Sequence, residues 1–321
     1  MHPLHRVAHL LDQQEGVISR RQLIDAGVVP HEIERLLRRR EVAPAARGVL
    51  VCHTGPPTWR QRVWAALLAA GPAAADRFTA IDLACGREGS AAAPVQITCD
   101  ATRRAKSWPG VAVHRRRHLD RVAAGQLSPP RVRLEHALLD VATERHRRID
   151  GIADLADAVG ARRTTADRLL TALDGRARVK DRPWWAGVLD DLASGSHSVL
   201  EHGYVSRVER PHGLPRGVRQ VRRVEEGRVT YSDVEYVDLG VRVELDGFAT
   251  HGGRRQRERD LDRDLLGTLA GDHTIRLGWG HVYERECWTA GVVGRALAAR
   301  GWAGAPRRCS STCLVAEVRA A

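Results

Sequence analysis

Apolar positions recur along this chain at two different periods, and each change of period marks a new element. Over residues 4–14 they return every three or four positions, which is the spacing of one helical face, and Gly16 follows as a stop signal. Ser19 stands where a cap is needed for a second helix over residues 20–26, and Gly27 makes the turn after it. Pro30 suits the first turn of a third helix running to about residue 40. On that helix Ile33, Leu36 and Leu37 form the apolar stripe, with Arg35, Arg38, Arg39 and Arg40 beside it. Residues 42–52 then read as a short hairpin with Arg47-Gly48 near its tip.

The middle of the chain alternates between the two periods. Residues 58–75 make an Ala/Leu-rich helix whose Trp59 and Trp64 read as core packing. Residues 94–99 and 110–114 read as strands, with Arg103, Arg104 and Lys106 in the connection between them. Leu134, Leu138 and Leu139 mark the buried face of a helix over residues 131–144, and two more helices occupy residues 152–173. Pro183-Trp184-Trp185 reads as a hydrophobic anchor. The stretch 174–197 ends in small polar residues and is the best domain boundary. After Trp302 the composition shifts to Gly, Pro, Arg and Ser, which predicts an unstructured tail.

The most informative stretch is 198–282. It holds Ser198 and Glu201, then Asp233, then Val243-Glu244-Leu245-Asp246, then His251, and finally Asp260, Arg263 and Asp264. Side chains two apart on a strand share a face, so Glu244 and Asp246 point one way while Val243 and Leu245 point into a core. Val237-Asp-Leu-Gly240 is a turn that folds the strand carrying Asp233 back on the strand carrying Glu244. Three carboxylates then converge, and a hard divalent cation such as Mg²⁺ or Mn²⁺ relieves their repulsion. Taken singly, each piece has a plainer account. Glu244 and Asp246 fit the wet face of a strand, and Asp260, Arg263 and Asp264 fit surface ion pairs on a helix. The ordered set is what points to a site.

That ordered set resembles the PD-(D/E)XK nuclease superfamily, in the branch related to the very-short-patch repair endonucleases. Ser198 and Glu201 match its opening helix, and Gly271 to Arg276 with Trp279 match its closing strand. The resemblance covers roughly a quarter of the chain. It implies a DNA endonuclease in which Asp233, Glu244 and Asp246 hold the metal and His251 is base or ligand. Glu201 would tune the site, and Arg263 or Arg254 would steady charge on the phosphate. One departure weakens the activity: the superfamily's lysine position is Asp246, and the chain's lysines, Lys106 and Lys180, both precede the site.

Gly16 to Leu23, Gly27 and Arg47 to Leu50 resemble the N-terminal winged helix-turn-helix of AbiEi-type antitoxins, which binds operator DNA. The resemblance implies phosphate contacts from Arg20, Arg21, His31, Arg35, Arg38, Arg39 and Arg47. It also implies a second reading, a non-catalytic antitoxin or repressor with a cognate toxin protein as partner.

Charge agrees with a polyanionic partner. The chain of 321 residues carries a formal charge of +12, and of its 51 basic residues all but Lys106 and Lys180 are arginine. Double-stranded DNA is the expected partner, although GC-rich coding would skew composition the same way. No apolar run is long enough for a membrane span, and the first residues lack the apolar core of a signal peptide, so a cytoplasmic protein is expected. The six cysteines contain no C-x2-C pair, so neither a zinc site nor a disulfide framework is indicated. A homodimer is allowed but not demanded, since no heptad or apolar seam is present. The expected architecture is a multi-domain α/β protein: a winged helix-turn-helix (1–54), a mixed α/β connector (55–180), a nuclease-like domain with a mixed sheet flanked by helices (195–302), and a flexible tail (303–321).

Overall fold

The computed structural model describes residues 2–194, 198–225, 228–246 and 274–316. The chain forms two compact units, Met1–Val141 and Ala142–Ala321, both mixed α/β.

The first unit opens with a 3-10 turn, Pro3–Val7, and α1 (Ala8–Gln13). Gly16 takes a left-handed φ of +80° and swings the chain into β1 (Val17–Ser19). Ser19 then caps α2 (Arg20–Asp25): its hydroxyl accepts the Gln22 N–H at 3.1 Å, and the Gln22 carboxamide accepts the Ser19 N–H at 2.9 Å. This reciprocal pair satisfies two orphan donors and stabilises the helix start by about 1 kcal/mol. α3 (Pro30–Arg38) follows, then the hairpin of β2 (Ala43–Ala46) and β3 (Val49–Val51), which turns at Gly48 with φ +71°.

The three strands form an antiparallel sheet in the order β1-β3-β2. Periodicity misses β1, because its three residues are all buried and show no alternation. It also carries the helix expected over residues 58–75 too far, since that helix ends at Ala70 and residues 73–75 form a strand. One side of this sheet joins Ile18 and Leu50 to Leu23, Ile33 and Leu36 in a single core. The other side joins Val17, Val49 and Val51 to Trp59, Val63 and Trp64 of α4 (Trp59–Ala70). Residues 1–54 therefore share a core with the helix after them. A five-stranded sheet completes the unit, built from β4 (Ala73–Ala75), β5 (Val95–Asp100), β6 (Val111–Arg116), β7 (Ala123–Ala124) and β8 (Arg131–Val132) in the order β6-β5-β4-β8-β7.

In the second unit, helices Arg148–Gly160, Ala166–Asp174 and Arg182–Ser194 precede the short helix Ser198–Gly203. Trp184 packs edge-on against Trp185 and Trp279, with ring centroids 4.8 and 6.4 Å away, so this tryptophan pair is a packing anchor. A π-helical turn, Tyr204–Glu209, leads to the sheet: β9 (Val218–Glu225), β10 (Arg228–Tyr236), β11 (Val241–Leu245) and β12 (Thr274–Leu277). Their order is β12-β11-β10-β9; the first three in sequence are antiparallel, and β12 runs parallel to β11. Helices Trp279–Tyr283 and Glu286–Ala299 close the unit.

One face of this sheet is apolar, with Val234, Val243, Leu245, Ile275 and Leu277 all buried. Glu209 ties the π-helical turn to that face. Its carboxylate accepts the Arg219 guanidinium at 2.7 Å and the Gly217 N–H at 3.2 Å. The Tyr204 and Tyr236 hydroxyls meet at 2.8 Å beside it, and burial pushes both well above the ordinary phenol range. Residues 303–316, which composition marks as loose, carry a buried Cys313 and a buried Val315.

Candidate functional site

Backbone pairing decides where the acids point. Val234 pairs with Val243 and Tyr236 with Val241, so continuing the ladder by one residue sets Asp233 across from Glu244. The turn between these strands is the expected one, a 3-10 turn at Val237–Leu239 closed by Gly240 at φ +62°. Because Val234, Val243 and Leu245 fill the apolar face, Asp233, Glu244 and Asp246 fall on the opposite one. All three are half-buried.

The side chains feel one another. The β10–β11 ladder ends at Val234 and Val243, and beyond it the Asp233 carboxylate accepts the Leu245 N–H at 2.6 Å. Burial pushes the Glu244 carboxyl above its usual range, and the negative charges of Asp233 and Asp246 push the same way. Arg242 and the Asp233 N–H oppose that shift. A divalent cation would relieve the repulsion, and three carboxylates are the hard oxygen donors that Mg²⁺ or Mn²⁺ takes. The donor chemistry thus fits such an ion. The three carboxylates nonetheless do not gather into a closed ligand cluster, and one Asp233 oxygen is turned toward the β11 backbone.

Parallel pairing adds a residue whose place in the site its sequence position does not reveal. Glu244 on β11 is in register with Arg276 on β12, and Arg276 is exposed. Local spacing carries no information about this neighbour, because parallel register is set by a crossover rather than a turn. Glu201, on the helix Ser198–Gly203, accepts a hydrogen bond from the Gln220 carboxamide of β9 at 2.8 Å. His251, Arg254, Asp260, Arg263 and Asp264 lie outside the described residues.

The basic residues at the N-terminus divide into two groups. Arg20 pairs with Glu34 at 2.7 Å, Arg21 with Asp25 at 3.7 Å, and Arg35 with Glu32 and Arg39 with Glu41 at 4.0 Å each. Such exposed pairs are weak and exchange readily for a phosphate. His31, Arg38 and Arg47 are exposed, and their side chains form no ion pair or hydrogen bond among the described residues. Arg38 ends α3 and Arg47 sits at the hairpin tip.

No family model and no curated protein matches this chain. Among solved structures it is similar to the crystal structure of the RV2827C protein from Mycobacterium tuberculosis, at 18% sequence identity and a TM-score of 0.37. That similarity covers 62% of this chain and 80% of the other. Likeness at this level carries no argument about function.

Proposed function

We propose that the protein binds double-stranded DNA through a winged helix-turn-helix at its N-terminus and hydrolyses phosphodiester bonds at the acidic face of the second unit's sheet. The observation that carries this reading is the β10–β11 register, whose continuation past Val234 and Val243 sets Asp233 across from Glu244, with Asp246 on the same face. The element order supports it: a helix, three antiparallel strands and a fourth strand parallel to the third, as in the nuclease fold the sequence resembles.

Asp233 and Glu244 would hold Mg²⁺ or Mn²⁺, with Asp246 or a backbone carbonyl completing the donor set. Bound there, the ion supplies polarisation of the scissile phosphate and a lowered pKa for the attacking water. Arg276, in register with Glu244, would offer positive charge to a bound phosphate, but as a guanidinium it cannot act as a base. His251 remains the proposed base or ligand, and Arg263 a charge partner. At the N-terminus, Arg38 and Arg47 would contact phosphates from the helix end and the hairpin tip, joined by His31, Arg20, Arg21, Arg35 and Arg39.

The decisive assay incubates purified protein with plasmid and Mg²⁺ or Mn²⁺ beside an Asp233→Ala control. Metal-dependent cleavage that disappears in the control is expected, and cleavage that survives it removes this site. For binding, the double variant Arg38→Ala/Arg47→Ala should lower the slope of log affinity against log salt by about 2, close to one unit per lost phosphate contact.

A second reading is a non-catalytic antitoxin or repressor that pairs with a cognate toxin protein. The bond from the Leu245 N–H to Asp233 and the lack of any lysine after Lys180 favour it. Tight operator binding with no cleavage of any DNA would decide for this alternative.

A further inference from the structure

Another set of ligand-type side chains meets in the second unit. The imidazole of His212 and the thiols of Cys287, Cys309 and Cys313 place one ligand atom each, all within 4.8 Å of one another. His212 lies between the π-helical turn and β9, Cys287 in the first turn of the helix Glu286–Ala299, and the other two in the chain after that helix. The Sγ atoms of Cys287 and Cys309 are 3.6 Å apart, and all three cysteines are unbridged.

The histidine is set up as a ligand. Its Nδ1 lies 2.9 Å from the Val208 carbonyl, and a carbonyl only accepts, so Nδ1 carries the proton. Nε2 is then left with a bare lone pair. That atom is buried without a hydrogen-bond partner among the described residues, and His212 as a whole is 0% exposed. A buried, unsatisfied nitrogen costs about 1–3 kcal/mol unless something takes its lone pair. Anchoring the far nitrogen on a backbone carbonyl is also how metal-bound imidazoles are oriented.

We propose that His212, Cys287, Cys309 and Cys313 form a structural Zn²⁺ site that clips the chain beyond residue 302 onto the second unit. Three thiolates and an imidazole are soft and borderline donors, which suit zinc and not the hard ions expected at the acids. A tetrahedral site with Zn–S bonds of about 2.3 Å has S···S edges of about 3.8 Å. The Cys287–Cys309 separation already matches that edge, and the widest separation needs to shrink by only about 1 Å. Four protein donors leave no open position, so the site holds structure and does not bind substrate. On binding, each thiol gives its proton to solvent and its lone pair to zinc, and His212 enters neutral, so no oxidant or reductant is needed.

The surrounding contacts show what the clip would hold. The Arg307 N–H donates to the His212 carbonyl at 2.8 Å, and the Arg308 guanidinium donates to the Cys313 carbonyl at 3.3 Å. A Cβ on Gly294 would clash with the Pro306 ring, so the segment lies directly on the helix Glu286–Ala299. Residues 303–316 contain no regular helix or strand, and a metal is an effective way to order such a stretch.

The test uses the full chain, expressed with zinc and purified under reductant. Metal analysis should give about one zinc per chain, falling below about a tenth of that in Cys309→Ser and in Cys313→Ser. Cys52→Ser and Cys85→Ser should keep the full content. Because a ligand variant can fail by misfolding, wild-type protein refilled with Co²⁺ supplies a second readout, and the strong visible absorption of tetrahedral cobalt thiolate is expected. Three results overturn the proposal: a folded wild-type chain that takes up no zinc, a weak octahedral cobalt spectrum, or a Cys287–Cys309 disulfide in peptides mapped without reductant.

Discussion

The second unit holds two sets of ligand-type side chains, and they differ in how far apart their members lie along the chain. Asp233, Glu244 and Asp246 fall within a single hairpin, whose turn and two-residue spacing bring them to one face. His212, Cys287, Cys309 and Cys313 come from three separate segments, yet their ligand atoms are the ones drawn within 4.8 Å. Closeness in sequence made the first set visible without gathering it, and one Asp233 oxygen accepts the Leu245 N–H instead. The second set is hidden in the sequence because no pairwise spacing links residue 212 to residue 287. Local geometry places side chains on a common face; convergence on a point requires packing between distant elements.

Removing zinc is the largest test of this contrast. With zinc at a thousandfold excess over its dissociation constant, bound metal stabilises the second unit by about 4 kcal/mol. A chelator should lower the urea midpoint of the wild type accordingly and leave Cys313→Ser unmoved. No effect on either would make the thiol cluster fortuitous. Next in size, Asp233→Asn should cut Mg²⁺-dependent cleavage by about 100-fold or more, since losing even an outer-sphere partner of a metal costs 10- to 100-fold. Asp238→Asn, in the exposed turn, should cleave normally. If both variants cleave alike, the shared face is only a wet strand.

Arg276→Ala should have a smaller effect, about tenfold and diminishing with salt, because an exposed charge is screened. The smallest effect is the pH dependence of Glu244, whose pKa is raised in the folded state by burial first and by Asp233 second. A raised carboxyl favours the folded state fully below its unfolded pKa, and that contribution is lost as pH rises through the folded value. Urea melts of Glu244→Gln should therefore lose less stability than the wild type between about pH 4 and pH 7, by less than about 1 kcal/mol for a half-exposed group. Equal slopes would mean that neither burial nor the neighbouring acids raise the Glu244 carboxyl in the folded state.

Much of the N-terminal segment was legible for the same local reason. Ser19 with Gln22, Gly27, Pro30 and Gly48 act on backbone atoms a few residues away, so helix starts and turns can be read in order. β1 was not legible, because Val17, Ile18 and Ser19 are buried alike and only pairing with Val49 to Val51 makes them a strand. The shared core of Val17, Val49 and Val51 with Trp59 and Trp64 was hidden too, since nothing near residue 54 signals that the chain packs back on itself.

By itself, the sequence determined the caps, the turns and the alternation that puts Asp233, Glu244 and Asp246 on one side of a hairpin. Those features depend on torsion preferences and on hydrogen bonds between near neighbours. Only the tertiary structure decided that Arg276 stands beside Glu244, that residues 303–316 pack onto the second unit, and that three cysteines and a histidine bring their ligand atoms within 4.8 Å. Each of those depends on which distant apolar surfaces bury one another, and no single segment of the chain carries that information.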